Sequence, residues 1–233
     1  MARPETSSPD TSTLSQQAYS LLHHDILVGA LAAGSKLRID ALKTRYGIGP
    51  TPLREALSRL AADGFVESEE NKGFSIPPLS LSELRDVTDQ RKLVECTALR
   101  RAIERMDDDY EARVVGAYHK LKRLDETLAT SDDEALARWE ERHRAFHRAL
   151  IEGAGSRWLS KFQSVLYDQA DRYRRLYFRS ARLPPQVATD HQEILDATLD
   201  RDAERACALL DRHIERVFEI ASKSPVFTQA LCD

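Results

Sequence analysis

The sequence predicts a mainly α-helical protein built from two units, and three observations support this prediction. The chain has 233 residues, which is enough for two small domains. It contains only 9 glycines, 9 prolines and 7% aromatic residues, a composition that favours helices over a β-rich fold. Helical periodicity runs through most of the chain, and a strand pattern lies within residues 65–76. The expected fold is a winged helix-turn-helix followed by an all-helical antiparallel bundle.

Three helices are predicted before residue 65. The first segment, LSQQAYSLLHHDILVGAL, starts at Leu14, has apolar residues at helical spacing and is closed by glycines. The second, RIDALKTRYGI, ends at Gly47, a residue suited to a left-handed C-cap. The third, GPTPLREALSRLAADGF, opens with Pro50 and Pro52, which fit a first helical turn because its amides have no helical partner.

A hairpin completes the N-terminal unit. The segment FVESEENKGFSI alternates about a polar Asn71-Lys72-Gly73 tip, as hairpin strands do. Three helices and a hairpin, with a short glycine-containing turn between helices two and three, are typical of a winged helix-turn-helix. We therefore predict this domain over residues 14–77, preceded by a disordered arm over residues 1–13.

The rest of the chain is predicted to be helical. Pro77-Pro78 is interpreted as the linker between the domains. The string Ser80-Leu81-Ser82-Glu83 is a capping box that begins a helix reaching about Arg105. Five further amphipathic stretches follow, over roughly 109–128, 133–152, 156–180, 185–199 and 202–221. Six helices without strands predict a bundle over residues 80–222, with a C-terminal tail over residues 223–233.

Charge, cysteine content and hydropathy exclude several classes of protein. The formal net charge is -4, so any nucleic-acid binding must come from a local basic patch. The three cysteines, Cys96, Cys207 and Cys232, are far apart and offer neither a disulfide framework nor a cysteine-based zinc site. The chain lacks a long apolar run and an apolar N-terminal signal, so we expect a cytoplasmic protein without a membrane partner.

The second and third helices carry the local positive charge. Between residues 36 and 59, the two acidic residues Asp40 and Glu55 oppose six basic ones, which gives 6 − 2 = +4; the basic residues are Lys36, Arg38, Lys43, Arg45, Arg54 and Arg59. Such a charge on a compact unit suits phosphate neutralisation. Charge alone leaves open the alternative that this is a solvated helix face.

Side chains for reading DNA are available at the third helix and the hairpin tip. Arg54, one turn into the helix, is placed to reach guanine in a major groove, and Thr51 to reach a phosphate or a base edge. Gly73 at the hairpin tip would let the backbone approach a minor groove, with Lys72 beside it.

These strings also resemble a known family. PTPLREALSRLAADGFV, preceded by LRIDALKTRYGI and followed by NKGF, closely resembles the signature of GntR-type regulators. The helical part resembles the FCD ligand-binding domain of their FadR-like branch, and the resemblance covers about residues 14–217. It implies a homodimeric transcription regulator that binds a short pseudo-palindromic operator in double-stranded DNA and binds an effector in the helical domain.

The DNA-binding motif matches the family pattern at most positions. Arg38, Thr51, Arg54 and Gly73 match it. Pro50 stands where family members usually have an arginine that reads DNA, so that contact is not carried over to this chain.

Four histidines in the helical part have a spacing suited to a metal site. His143 and His147 in HRAFHRAL are four residues apart, so they share one helix face and can hold one ion. His191 in DHQEIL and His213 in LLDRHIERV lie on the last two predicted helices, which a bundle can bring to a common centre. Spacing alone leaves open that these are ordinary buried or surface histidines.

The family resemblance implies the metal site more directly. Many FCD domains bind a divalent metal through an Asp-x-x-x-His pair and two later histidines. His147, His191 and His213 match the histidines, and His143 stands at the aspartate position. An all-imidazole set favours zinc, or nickel, over the oxygen-preferring calcium and magnesium. Three histidines plus water or an effector carboxylate would also satisfy the metal, so direct ligation by His143 stays open.

Arginines and tyrosines are candidates for binding the effector. Arg91 in QRKLVE matches an arginine that often lines the FCD pocket, where a guanidinium can hold a carboxylate in a bidentate manner. The alternative is an i,i+4 helix pair with Glu95. Further candidates on one long helix are Tyr167, Tyr173, Arg174 and Tyr177. The GPTPLREAL string and the HxxFH variant most resemble a glutarate-responsive family member, which implies a small dicarboxylate or related organic acid.

The resulting prediction is a metabolite-responsive regulator, a repressor released by a small carboxylate, with no catalytic residue. Two rivals stay open. In one, the metal itself is the signal. In the other, a histidine-bound metal with an open position activates water for hydrolysis. No Glu or Asp lies beside the His143–His147 pair in an HExxH arrangement, so we do not expect an enzyme.

Overall fold

A computed structural model describes residues 11–69, 73–125, 133–178, 185–223 and 227 of the chain. The chain divides into two compact units, Met1–Ser80 and Leu81–Asp233. Within the described residues, the first unit has three helices and a three-stranded sheet, and the second has six helices. The predicted fold class, a winged helix-turn-helix followed by a helical domain, is therefore confirmed.

The first unit alternates helices with short strands. In chain order its elements are α1 (Thr11–Leu27), β1 (Lys36–Leu37), α2 (Ile39–Tyr46), α3 (Pro50–Ala62), β2 (Glu67–Glu69) and β3 (Gly73–Ser75). The sheet order is β1-β3-β2 and both pairings are antiparallel. Lys36 lies opposite Ser75, and Glu69 lies opposite Gly73. The sequence analysis missed β1 because two residues are too few to show an alternating pattern.

Cap residues set the ends of α2 and α3. Gly47 follows α2 with φ 67, and its N–H donates to the carbonyl of Lys43, which is the predicted left-handed C-cap. α3 begins at Pro50, after an extended Gly49 that provides no side-chain cap. α1 begins at Thr11, so the last three residues of the predicted arm are helical, and residues 1–10 lie outside the described residues.

The core of the first unit fixes the orientation of α3. Leu22 of α1 and Leu53, Leu57 and Leu60 of α3 are fully buried, and α1 packs directly on α3. Because these leucines lie on one face of α3, its opposite face is left to solvent.

The second unit contains the six predicted helices, each with ends within a few residues of the prediction. They are α4 (Leu81–Glu104), α5 (Asp108–Asp125), α6 (Asp133–Glu152), α7 (Arg157–Phe178), α8 (Pro185–Leu199) and α9 (Ala203–Ala221). The side chain of Asp202 caps α9 by accepting a hydrogen bond from the N–H of Arg205 at 3.0 Å.

α4 is central in this unit, because it contacts α6, α7 and α9. The core around it is made of fully buried large side chains, including Leu99, Trp139, Phe146 and Leu210. Tyr110 of α5 is also buried, and its hydroxyl donates to the carbonyl of Leu150 at 2.7 Å.

Phe227 lies within the stretch predicted as the C-terminal tail, residues 223–233. Its side chain is buried and its ring stacks on Tyr173, with 6.0 Å between ring centroids. Moving an aromatic ring out of water lowers the free energy, and this ring is buried against the helical unit. The neighbouring residues 224–226 and 228–233 lie outside the described residues. Among the helices described, none combines the length and the apolar character needed to cross a membrane.

Candidate metal centre and nucleic-acid interface

Four buried histidines from three helices meet in the second unit. His143 and His147 lie one turn apart on α6, His191 lies on α8 and His213 on α9. Each side chain belongs to a residue that is at most 1% exposed. Each residue offers one ring nitrogen, and these four atoms all lie within 4.8 Å of one another. The fold brings together the four histidines that the sequence analysis predicted as metal ligands.

Most ring nitrogens of this cluster lack a hydrogen-bond partner among the described residues. They are Nε2 of His143, both nitrogens of His147, both nitrogens of His191 and Nδ1 of His213. A buried polar atom without a partner costs about 1–3 kcal/mol. Converging imidazole nitrogens are also the ligands that zinc and related divalent metals prefer. The donor set therefore fits a metal ion.

Polar side chains on neighbouring elements face three of the rings. In each case they face Nδ1. The Tyr167 hydroxyl is within hydrogen-bond distance of His143, at 2.5 Å. The carboxylates of Glu95 and Asp190 lie 3.4 Å from His147 and 3.5 Å from His213, close enough for an ion pair with a protonated ring but without hydrogen-bond geometry. Such partners fix the orientation and tautomer of a metal-binding imidazole. Because they face Nδ1, Nε2 is the nitrogen left for a metal on these three rings.

Burial keeps the four imidazoles neutral. It lowers the pKa of His147 to about 4, although Glu95 opposes this effect. Burial is also the main cause that lowers the pKa of His143, His191 and His213 below the ordinary value. Neutral imidazole is the form that binds a metal, so the cluster does not have to lose protons near neutral pH.

Arg91 meets the cluster through Glu95. Its Nε donates to Oε1 of Glu95 at 2.7 Å, and both residues are buried. Burial would raise the pKa of Glu95, but Arg91 and His147 together lower it to about 2. The i,i+4 pair that the sequence left open is therefore formed, and it holds a charged carboxylate beside a histidine of the cluster.

A second buried charge network is connected to the cluster by Tyr167. Arg174 donates from Nε to Glu140 at 2.9 Å, and from Nη2 to Asp171 at 2.7 Å and to the Tyr167 hydroxyl at 3.2 Å. Its Nη1 is buried and has no hydrogen-bond partner among the described residues. Since the same hydroxyl contacts His143, Arg174 lies two contacts away from the histidine cluster.

Tyr173 occupies a different environment from Arg174. Its hydroxyl donates to the carboxylate of Glu83 and its ring stacks on Phe227. Consecutive residues of a helix point about 100° apart, so the two side chains leave α7 in different directions. The contacts of Tyr173 thus differ from those expected of an effector-binding residue beside the histidines. The side chain of Tyr177 is not among those described.

The predicted DNA-binding residues lie on the surface of the first unit. Arg38, Thr51 and Arg54 are exposed, and their side chains form no hydrogen bond or ion pair with another described residue. Gly73 is exposed and has φ 87, a conformation that favours glycine. Lys72 lies outside the described residues.

Two of the six basic residues in this region are used inside the unit. Arg45 pairs with Asp25 at 2.6 Å. Arg59 donates to Gln16 at 2.9 Å and lies 4.5 Å above the ring of Tyr19. The others are exposed and have no such partner among the described residues, namely Lys36, Arg38, Lys43 and Arg54.

Comparison with known protein families assigns both units. Residues 14–76 match the family described as "Bacterial regulatory proteins, gntR family", and residues 86–216 match the FCD domain. The chain belongs to the GntR family. GntR-family regulators bind operator DNA and typically act as dimers, and FCD domains commonly bind a metal. The histidine cluster is a group of described residues that could hold one.

Curated relatives are also transcription regulators. The chain is 41% identical over 203 residues to BphR, an uncharacterised HTH-type transcriptional regulator of Paraburkholderia xenovorans, covering 87% of this chain and 83% of BphR. It is 36% identical over 204 residues to the HTH-type transcriptional repressor GlaR of Escherichia coli, covering 86% of this chain and 92% of GlaR. This GntR-family chain is accordingly a regulator and not an enzyme.

Solved structures share the fold. E. coli McbR/YncC has a TM-score of 0.74 and 20% identity, with 93% of this chain and 98% of that chain covered. A GntR regulator from Rhodococcus sp. RHA1 has a TM-score of 0.71 and 21% identity, with 91% and 99% covered. At this identity the similarity supports the fold of the GntR-family chain and nothing finer.

Proposed function

We propose that this GntR-family regulator is a homodimeric repressor whose helical unit binds a small carboxylate beside a histidine-bound zinc ion. The observation that carries the proposal is the cluster of four buried histidines, in which six of the eight ring nitrogens lack a hydrogen-bond partner among the described residues. Imidazole ligands suit zinc, with nickel second, because both accept nitrogen donors readily. When bound, zinc would supply a positive centre that can hold one oxygen of a carboxylate.

Arg174 is our candidate for a second carboxylate contact. Its Nη1 is buried and has no hydrogen-bond partner among the described residues, and a guanidinium nitrogen in that state gains most from an anionic acceptor. A dicarboxylate has one carboxylate for the metal and one for this arginine. Arg91 is engaged with Glu95, so we assign it the positioning of His147 in place of a direct effector contact.

Arg54 and Thr51 are our candidates for contacting the operator from α3. Pro50 and Pro52 have no N–H, so Thr51 is the residue in the first three of α3 whose amide can still donate to a phosphate. Arg54 is exposed one turn further on and can read a guanine edge. Arg38 at the start of α2 and Gly73 with Lys72 at the hairpin tip would contact the DNA backbone beside it.

The exposed charges give a quantitative expectation for DNA binding. Four exposed basic side chains per subunit have no partner in the part of the chain that the structure describes, which makes eight per dimer. This number corresponds to a log–log salt slope of up to roughly −7 if all of them contact phosphates. Arg45 and Arg59 are used inside the unit and should contribute little to this slope.

Fluorescence anisotropy with the DNA upstream of the protein's own gene tests the proposal. Zinc-loaded protein should bind this duplex in preference to a scrambled duplex of equal length, and one member of a panel of small dicarboxylates should weaken binding. Arg54→Ala should lose affinity, whereas Arg113→Ala, an exposed arginine of the second unit, should not. Equal affinity for both duplexes at every salt concentration would contradict the proposal that the protein recognises an operator in this DNA.

A metal-responsive regulator is the second candidate, and one observation favours it. Four ring nitrogens from four residues can fill a tetrahedral shell without leaving a position for an effector. In that case zinc alone would shift DNA affinity and organic acids would have no further effect. If zinc is instead required for an acid to act, and does little alone, the carboxylate proposal stands.

A further inference from the structure

The contact between α4 and α9 has a regular antiparallel register. Nζ of Lys92 lies 3.2 Å from Asp211, and Nη2 of Arg100 lies 3.0 Å from Glu204. From the first ion pair to the second, the α4 residue advances by about two helical turns, from Lys92 to Arg100. The α9 residue goes back by about the same number of turns, from Asp211 to Glu204. The residues midway between the two ion pairs therefore face each other across the helix contact.

Cys96 and Cys207 occupy this midway position. Sγ of Cys96 lies 3.5 Å from the carbonyl oxygen of Cys207, and Sγ of Cys207 lies 3.3 Å from the carbonyl oxygen of Cys96. Each thiol therefore lies against the backbone of the opposite helix. A disulfide needs its two residues directly opposite each other with Cβ atoms about 3.5–4.5 Å apart. The reciprocal contacts from sulfur to carbonyl oxygen place Cys96 and Cys207 opposite each other across the helix contact.

The two thiols differ in acidity and access. The hydrogen bond with Cys96 lowers the pKa of Cys207, and Arg100 lowers it further, while burial opposes this change. The same hydrogen bond, together with burial, raises the pKa of Cys96. Cys207 is buried and Cys96 is half-buried. Since the thiolate is the reactive form, Cys207 is the better nucleophile and Cys96 the better resolving thiol.

We propose that Cys96 and Cys207 form an oxidisable pair that hydrogen peroxide converts into a disulfide between α4 and α9. The Cys207 sulfur attacks one peroxide oxygen, the O–O bond breaks, and water leaves once the thiol proton is taken up, which gives a sulfenic acid. The Cys96 sulfur attacks this sulfur, the S–S bond forms, and the sulfenic oxygen leaves as a second water. Two thiols are oxidised and one peroxide is reduced to two waters.

The bond would join two helices that serve the histidine cluster. Glu95 precedes Cys96 on α4 and faces His147, and His213 lies further along α9. The proposal is independent of the effector and the metal, because the cysteine contacts stand without either.

Peroxide treatment of full-length Cys232→Ser protein tests the proposal. Cys232 is the remaining cysteine of the chain, so this variant keeps the native buried pair and excludes other pairings. We expect the loss of two alkylatable thiols, a mass about 2 Da lower, and one Cys96–Cys207 cross-linked peptide within a monomer chain. The closed loop spans 111 residues, so Tm should rise by roughly 10 °C and return on reduction.

Two matched variants serve as controls. In the same background, Cys96→Ser and Cys207→Ser should show neither the cross-link nor the reducible rise in Tm. Two thiols that stay alkylatable in folded, peroxide-treated Cys232→Ser protein would overturn the proposal. So would a disulfide that forms only between two chains.

Discussion

Replacing His191 by leucine should change the stability of the metal-free and the metal-loaded protein in opposite directions. His191 is fully buried, and neither ring nitrogen has a hydrogen-bond partner among the described residues. Leucine has a similar volume and no polar atom, so it removes the unsatisfied nitrogens together with one metal ligand. The His191 side chain thus lowers the stability of the metal-free protein and raises the stability of the metal-loaded protein.

The expected magnitudes follow from these contacts. Removing unsatisfied nitrogens is worth about 1–3 kcal/mol, and imperfect fit costs up to about 1.5 kcal/mol. The metal-free variant should therefore gain roughly 1 kcal/mol, or a Tm rise of about 2–4 °C. Zinc at about 1,000 times its Kd stabilises the native protein by about 4 kcal/mol. A 100-fold weaker site would receive only about 1.4 kcal/mol at the same concentration.

Thermal denaturation of chelator-treated and zinc-loaded protein measures both effects. The order of Tm values should reverse between the two conditions, with His191→Leu higher without metal and lower with zinc. His119→Leu is the control, because His119 is exposed on α5 and lies outside the cluster. A metal-free His191→Leu variant that is less stable than the native protein would refute the idea of an unsatisfied ring. An unchanged zinc-induced shift would refute the assignment of His191 as a ligand.

Three further predictions concern DNA, the Tyr167 hydroxyl and pH. Arg54→Ala should weaken operator binding by about 1–3 kcal/mol and relax discrimination at one base pair of each half-site, whereas Lys43→Ala should weaken binding to all sequences and reduce the salt slope of the dimer by about 2, both measurable by anisotropy. Tyr167→Phe removes the hydroxyl beside His143 and should lower zinc affinity about tenfold in a chelator competition; an unchanged affinity contradicts the positioning role. Metal-free protein should hold its stability above pH 6.5 and lose it as the pH falls towards 4, because burial lowers the pKa of His147 from 6.5 to about 4 in the folded state. This pKa shift alone should lower the free energy of unfolding by about 3 kcal/mol between pH 6.5 and pH 4, as measured by urea titrations at several pH values. A free energy of unfolding that does not change with pH over this range would contradict the prediction.

Much of the fold could be predicted because its determinants are local. Gly47 ends α2 and Pro50 begins α3 through backbone preferences that a single residue carries. The histidine pair His143 and His147 could be recognised for the same reason, since i,i+4 spacing places two side chains on one helix face.

The environment of the site could not be predicted, because it depends on how helices distant in sequence rotate against one another. Glu95 on α4 faces His147 on α6, and Asp190 on α8 faces His213 on α9. No local sequence pattern identifies either carboxylate as a neighbour of the cluster. From the sequence, Tyr173 and Arg174 are both predicted as candidates for binding the effector. Only the rotation of α7 shows that one meets Glu83 and the other joins the network at Tyr167.

α4 links the start of the second unit to its interior. It begins at Leu81, the residue that follows the first unit in the chain, and Glu83 in its first turn accepts a hydrogen bond from Tyr173. Glu95, twelve residues on, lies about 18 Å further along the axis and contacts the histidine cluster. A helix transmits axial displacement and rotation with little loss, so α4 can act as a stiff lever. A movement of Glu95 when a ligand binds would twist or shift the first turn of α4, which follows the linker in the chain.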